Sequence, residues 1–168
     1  MLKPNSLRAH LEAASPWLKD RPESLTVFVS NGTMNATGAE SLSFEYRYTL
    51  NVIALDYAGH PDALMVPLLA WVRRHQPDLV ENAQKRERGI RFEAEHLNAQ
   101  TYDLAIEIDL SERVIVKLIE PAEQDGTKRW EVTHAPEPEH VGHVTEPQEW
   151  AAVLEGEVLA RWTFEARE

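Results

Sequence analysis

Three histidines towards the C-terminal end have a spacing that metal ligands can use. His134, His140 and His143 lie close together, and the His140-x-x-His143 pair can meet on one metal ion if the chain turns between them. The surrounding segment is rich in proline and glutamate, so it supplies no rigid groups that would orient the imidazole rings. We therefore predict that these histidines hold no metal.

A second concentration of titratable groups is acidic. Glu93, Glu95 and Asp103 could hold a hard cation through their carboxylate oxygens. The alternation of two β-strands explains the same carboxylates as one solvent-facing side of a hairpin, and we predict this simpler arrangement. The acidic face defined in this way consists of Glu93, Glu95, Asp103, Glu107 and Asp109.

Motifs that carry catalysis or nucleotide binding are missing from the sequence. It contains no Gly-x-Gly loop, no Gly-x-Ser-x-Gly elbow and no His-Glu-x-x-His pair. It also contains no cysteine, which excludes disulfides, thiolate metal sites and cysteine nucleophiles. We predict that the chain is not an enzyme and needs no cofactor. A small-molecule-binding or metal-binding enzyme is the less favoured alternative.

Composition and charge narrow the possible partners. The 168 residues include 17 Lys and Arg against 28 Asp and Glu, a formal net charge of −11. Tight binding to a nucleic-acid backbone needs clustered cations, so DNA is a poor ligand, although it could slide past such a surface. No stretch approaches the roughly 20 apolar residues that cross a bilayer, and the first residues lack the apolar run of a signal peptide. We expect one soluble domain, made in the cytosol, with no membrane partner.

Two helices containing proline are expected to cover a sheet. The first, capped by Asn5 or Ser6, is either kinked at Pro16 or restarted there. The second contains Pro67 and is expected to kink. Their inward stripes are predicted to be Leu7, Leu11, Ala14 and Leu18 in the first helix and Leu64, Met65, Leu68, Leu69 and Val72 in the second.

Alternation of apolar and polar residues predicts the first two strands. A short strand over Leu25–Val29 is expected to end in a turn at Asn31-Gly32, followed by a loop over 33–40. The run Leu42–Val52 alternates as a half-buried strand does. At Ile53 the apolar phase changes, which indicates a β-bulge or a stretch that is buried on both faces.

The register of a later hairpin follows from its pattern. Ile90–His96 and Tyr102–Leu110 both alternate, and we expect a hairpin centred on Ala99. Val114–Ile119 and Arg129–Thr133 are further candidate strands, separated by a turn at 124–126. The predicted register places Phe92 opposite Ile106, Ala94 opposite Leu104, Arg91 opposite Glu107 and Glu95 opposite Asp103.

The chain is predicted to have three parts. Residues 1–133 form an α+β core domain with a mixed or antiparallel sheet, 134–149 a Pro/Glu-rich linker arm, and 150–168 a β-hairpin. Since an isolated hairpin is marginally stable, this one must dock on the core or on a neighbouring subunit. The candidate subunit-interface residues are Trp150, Val153, Leu154, Val158, Leu159 and Trp162.

Several segments resemble one protein family in order and spacing. The N-terminal Met1–Arg8, the Phe28–Gly32 strand end, the alternating Ser41–Ile53 strand and the Val66–Arg73 helix with its Gln76–Asp78 stop carry the resemblance. Together they are similar to the tail completion protein R family of temperate contractile-tailed phages. The resemblance runs over about residues 1–110.

This resemblance implies a structural virion protein at the neck end of the tail. Such a protein completes the tail after tube and sheath have polymerised, allows stable joining to the head, and is assembled in the bacterial host cytoplasm. By analogy with tail terminators it implies an α+β fold and a homohexamer ring, which meets tube and sheath proteins and other neck or tail completion proteins. The alternative is a transient assembly factor that is absent from the mature particle. The family brings no catalytic residues and no cofactor.

Two features of the sequence agree with a ring. A Pro-rich arm that carries a hairpin can tie subunits together by adding strands to the sheet edge of a neighbour. DNA must pass such a ring without adhering, so we predict that the acidic face lines or flanks the channel.

Overall fold

The structure is a computed structural model that describes residues 1–36, 41–119, 126–137 and 146–165. The fold is α+β, which confirms the fold class predicted from the sequence. Helices and strands follow one another as α1 (Lys3–Ala14), α2 (Pro16–Asp20), a 3₁₀ turn (Pro22–Ser24), β1 (Leu25–Ala36), β2 (Phe44–Tyr57), α3 (Asp62–His75), α4 (Asp78–Glu81), α5 (Ala83–Arg86), β3 (Ile90–His96), β4 (Tyr102–Ile119), β5 (Arg129–His134), β6 (Gln148–Leu154) and β7 (Glu157–Phe164).

Five of the strands form one antiparallel sheet. Its order is β1-β2-β4-β3, and β5 pairs with the C-terminal part of β4. The predicted β3–β4 register is confirmed, with Phe92 opposite Ile106 and Glu95 opposite Asp103. β4 is longer than expected, because Val114–Ile119 continues the same strand instead of forming a separate one. Of the turn predicted at 124–126, only Gly126 lies within the described residues.

The turn predicted at Asn31-Gly32 is wrong, because β1 continues through it to Ala36. The pairing with β2 shifts by one bulge between Ser30 and Thr33, and Asn31 has a φ of 52°. Asparagine tolerates this left-handed conformation, which serves a bulge as well as a turn. The loop predicted over 33–40 is therefore strand as far as Ala36, and 37–40 lie outside the described residues.

The bulge predicted in β2 exists, but it lies further along the strand than Ile53. β2 begins at Phe44, and its inward side chains alternate without interruption from Tyr48 to Ala54. The pairing with β4 shifts between Ala54 and Tyr57, where Asp56 has a φ of 51°. Ile53 is half-buried on the opposite side of the sheet. Its apolar character therefore reflects the partial burial of that side, and the inward phase of β2 does not change there.

The N-terminal helix is restarted at Pro16. Ser15 separates α1 from α2, and its hydroxyl accepts a hydrogen bond from the backbone N–H of Leu18 at 3.4 Å. The cap predicted at Asn5 or Ser6 is wrong, since α1 already begins at Lys3. Its first N–H groups donate to a carboxylate of the sheet instead of a local side chain, as described below.

The second helix, α3, runs unbroken from Asp62 to His75 with Pro67 inside it. Four residues of its predicted inward stripe are buried or partly buried, but Leu69 is 45% exposed. Trp71 takes the inward position, 2% exposed, and its indole N–H donates to the Ser6 hydroxyl at 3.0 Å. The described helices include none with the length and apolar character that a membrane crossing requires.

Helices α1 and α3 lie between two sheets. One side of the pair packs on the five-stranded sheet, where Leu7, Leu11, Leu64 and Trp71 belong to the main buried cluster. Small residues on the other side, with Ala14, Ala63 and Ala70 among them, contact the β6–β7 hairpin. The hairpin therefore packs on the helices of its own chain.

Candidate functional site

The five residues of the predicted acidic face lie on one side of the sheet. Side chains alternate between the two sides of β3 and β4. Apolar residues such as Leu104 and Ile106 face the helices, and the carboxylates face away from them. The structure thus brings together Glu93, Glu95, Asp103, Glu107 and Asp109.

Two of the five carboxylates share one arginine as their ion-pair partner. The Arg91 guanidinium contacts both Asp109 carboxylate oxygens at 2.9 Å, and its Nε lies 3.1 Å from Glu107 Oε2. The hydrogen bonds from Arg91 hold the pKa of Asp109 below its ordinary value, with a smaller contribution from the Thr49 hydroxyl. The sequence predicted Arg91 opposite Glu107, but not its bidentate contact with Asp109.

The other three carboxylates have no cationic partner among the described side chains. Asp103 accepts a hydrogen bond from the Asp56 backbone N–H at 2.8 Å, which ties it to the bulge of β2. Glu93 and Glu95 are exposed, and the described part of the chain gives neither of them an ion pair. This end of the β3–β4 hairpin is therefore strongly negative at neutral pH.

Metal binding finds no support among the described residues. They contain no group of three or more His, Asp or Glu side chains that is arranged to hold an ion. His140 and His143 lie outside the described residues. His134 lies at the end of β5, with Nδ1 at 3.1 Å from Glu112 Oε2.

Glu112 is the centre of a buried polar cluster that the sequence did not predict. It lies on the helix side of β4 and is 4% exposed. The Tyr48 hydroxyl donates to it at 2.5 Å, and the backbone N–H groups of Leu2 and Lys3 donate at 2.7 and 3.3 Å. Its negative charge thereby caps the N-terminus of α1. Burial opposes ionisation, but these hydrogen bonds outweigh it and hold the pKa of Glu112 below its ordinary value.

Lys3 connects this cluster to the start of the arm. Its ammonium donates to the Glu137 carboxylate at 2.6 Å, to the Ser111 carbonyl at 2.7 Å and to the Gln76 side-chain oxygen at 2.7 Å. Burial lowers the pKa of Lys3, and the neighbouring carboxylates counteract this. Glu137, which precedes residues outside the described part of the chain, is therefore fixed to the first turn of α1.

Lys3 and Gln76 also hydrogen-bond the backbone of β4 at the edge that β3 and β5 share, in the gap between those two strands. On this edge of β4, the Asp109 N–H donates to the Gly89 carbonyl and the Arg113 carbonyl accepts from Ala135. Between these contacts the Ser111 N–H donates to the Gln76 oxygen at 3.1 Å, and the Ser111 carbonyl accepts from Lys3. The two side chains thus satisfy the backbone where neither β3 nor β5 reaches.

One sequence signal could have identified the cluster. From Leu104 to Val116 the inward positions of β4 are all apolar except Glu112. A carboxylate at an inward position must be hydrogen-bonded, because an unpaired buried charge is costly. Treating β4 as two separate strands concealed this phase.

The six candidate subunit-interface residues occupy three environments. Trp162 is 6% exposed against the helices, and Leu159 packs beside the same cluster. Trp150 is 40% exposed at the side of the hairpin. The remaining three, Val153, Leu154 and Val158, are exposed around the Glu155-Gly156 turn and form the hairpin tip.

The other end of the hairpin is held by α3. The Arg74 guanidinium lies 5.8 Å from the centre of the Phe164 ring and donates to the Glu165 carbonyl. Such a cation–π contact adds to the apolar packing of Trp162 and Phe164. The hairpin is therefore attached at its base, while its tip presents apolar side chains to solvent.

The described residues form an α+β fold in which two helices pack on an antiparallel sheet and a C-terminal hairpin docks on those helices. The chain matches the P2 phage tail completion protein R (GpR) family over residues 1–138, and it belongs to that family. It is 41% identical over 162 residues to the Tail completion protein R of Escherichia phage P2, covering 96% of this chain and 99% of that protein. No solved structure matches it.

Proposed function

We propose that this chain completes a contractile phage tail as a structural subunit. The observation that carries the proposal is the family match over residues 1–138, together with a relative of nearly equal length that is named a tail completion protein. In this proposal the chain acts at the neck end, contacts tube and sheath proteins and other completion proteins, and allows stable joining to the head. It is assembled in the bacterial host cytoplasm, and its role includes no catalytic step and no cofactor.

A homohexamer ring is the assembly that suits this role. A helical tube grows by heterologous contacts that never close, whereas a ring closes on itself and can end the growth. In the described part of the chain, the outer edges of β1, β3 and β5 have no partner strand and can accept one. We propose a core domain over 1–133, an arm over 134–149 and a hairpin over 150–168, with the Lys3–Glu137 ion pair holding the first residues of the arm.

The acidic face is proposed to line or flank the channel through which DNA passes. Glu93, Glu95 and Asp103 supply the uncompensated charge, while Glu107 and Asp109 are paired with Arg91. Each copy also carries a formal net charge of −11, so the inner wall of a ring would repel the DNA backbone.

The tail role is tested by deleting the coding sequence in the phage or tail-like particle that uses this chain. Electron microscopy should then show tails with abnormal ends and few joined heads, and supplying the chain in trans should restore both. Normal, head-joined tails in the deletion would contradict the proposal. Mass spectrometry of purified particles separates the transient assembly factor, because a structural subunit remains in the finished tail.

A further inference from the structure

Two open edges bound the part of the sheet that carries the acidic face. β1 is the outer strand on one side and β3 on the other, and in the described part of the chain neither pairs with a further strand. Such an edge presents a row of backbone N–H and C=O groups that can pair with another strand. With the acidic face turned to the channel, as proposed above, these two edges point around the ring towards the two neighbouring copies.

β1 lacks most of the features that keep an exposed edge from pairing. Its 12 residues contain no charged side chain and no proline, in a chain of which 27% of the residues are charged. Its bulge lies between Ser30 and Thr33, so the pairing from Leu25 to Ser30 is regular. β1 can therefore accept the acidic strand β3 without placing a carboxylate opposite Glu93 or Glu95.

The directions of the strands suit a contact between β1 and β3 of neighbouring copies. Each pairing along the order β1-β2-β4-β3 is antiparallel, so β1 and β3 run in opposite directions. Rotation about the ring axis leaves the direction of every strand along that axis unchanged. β3 of one copy and β1 of the next are therefore antiparallel where they meet, and the same contact repeats around the ring. A contact between two β1 edges or two β3 edges is two-fold and closes after two copies.

The helix side of both edges carries apolar side chains that the described chain leaves uncovered. On β3, Phe92 lies on this side opposite the buried Ile106, and it is 64% exposed. On β1 the same side carries Val27 and Val29, which are partly buried at the margin of the main cluster, and Met34, which is 64% exposed. Pairing the two edges places Phe92 beside one of these three side chains and continues the core of one copy into the next.

We infer that β3 of each copy pairs with β1 of the next copy in an antiparallel ladder, so that the sheets close into one continuous wall around the channel. The inference rests on the proposed ring and names the contact that closes it. In a hexamer, four strands from each copy at a spacing of about 4.8 Å give a wall roughly 35 to 40 Å across between opposite backbones, and strand tilt widens it further. A DNA duplex passes through an opening of this size.

Because the chain has no cysteine, the contact can be tested by disulfide trapping. Glu93→Cys is combined in the full chain, one at a time, with a cysteine at each β1 position on the same side of the sheet. These substitutions are Thr26→Cys, Phe28→Cys, Ser30→Cys, Thr33→Cys and Asn35→Cys. The two cysteines of one copy lie about three strand spacings apart, which is too far for a disulfide within that copy.

Each double variant is oxidised as purified protein and in assembled tails. We expect at least one of the five to give a ladder of covalent oligomers that ends at the hexamer, and the best of them reports the register of the contact. Met34→Cys with Glu93→Cys is the matched control. Met34 is exposed and lies between Thr33 and Asn35, but on the opposite side of the sheet, so this pair should give no ladder.

Three outcomes would overturn the inference. The first is a cross-link from Glu93→Cys alone or Phe28→Cys alone that forms as efficiently as in the double variants, because like edges would then meet. The second is a cross-link from Glu93→Cys to another tail protein, and the third is completed tails in which none of the five pairs cross-links.

The proposed function is tested separately, by whether the reduced variants and the wild-type chain complete tails. If a pair cross-links in solution but the wild-type chain completes no tails, the contact stands and the tail role fails. If the wild-type chain completes tails and no pair cross-links in them, the tail role stands and the contact fails.

Discussion

At the scale of single residues, the buried carboxylate of Glu112 connects three separate parts of the chain. It caps α1, binds the Tyr48 hydroxyl and lies beside His134 at the end of β5. Its replacement leaves these donors buried without an acceptor. We expect Glu112→Ala to lower the free energy of unfolding by about 3 kcal/mol, measured by urea denaturation at pH 7. Glu107→Ala, on the exposed side of the same strand, should cost less than about 1 kcal/mol; equal losses would contradict the role of Glu112.

The same carboxylate makes stability depend on pH. Since folding lowers the pKa of Glu112, its contribution is complete above the unfolded pKa of about 4.3 and is lost as the pH falls through the lower folded pKa. Glu112→Gln cannot ionise. The difference in unfolding free energy between the wild type and this variant should therefore shrink between pH 7 and pH 3 in urea titrations. A constant difference would show that ionised Glu112 contributes nothing.

At the scale of elements, the β6–β7 turn is not optimal for its conformation. Glu155 and Gly156 both have positive φ, 49° and 91°, as a type I′ turn requires. Asparagine tolerates the first position better than glutamate does, so Glu155→Asn should stabilise the hairpin by about 0.5 to 1 kcal/mol. Slower hydrogen exchange of the β6 and β7 amides would report this gain. Glu157→Asn, just outside the turn, serves as the control and should give no gain.

Elements with strong, uninterrupted patterns were predictable from the sequence. The β3–β4 register follows from alternation in two adjacent runs and a short connection between them. The end of β1 was not predictable in the same way, because Asn31-Gly32 suits a turn and a bulge equally. Alternation also predicted that the five carboxylates of the acidic face share one side of the sheet, as they do in the structure. The inward position of Glu112 was missed because β4 was treated as two strands. Its neighbours Lys3, Gln76 and Glu137 were not predictable, because they are distant in sequence and only the folded chain brings them together.

At the scale of the whole molecule, charge and apolar surface are separated by location. The acidic face of the β3–β4 hairpin points away from the helices, whereas the β6–β7 hairpin, with its exposed apolar tip, packs on the opposite side of the helical layer. In the proposed ring, a subunit can contact its neighbours through the hairpin tip and leave its acidic face for the channel. The two roles are therefore separable by mutation.

Charge reversal on the acidic side tests the channel role. The double substitution Glu93→Lys and Glu95→Lys changes exposed side chains without described ion pairs, so the fold and the tail should form normally. Lysines in the channel would bind the DNA backbone, and we expect DNA ejection and infectivity to fall at least about tenfold in particles that look intact. Asp20→Lys with Glu23→Lys makes the same change of net charge on α2 and the 3₁₀ turn, and should leave infectivity unchanged. Equal infectivity of both variants would show that the acidic face does not meet DNA.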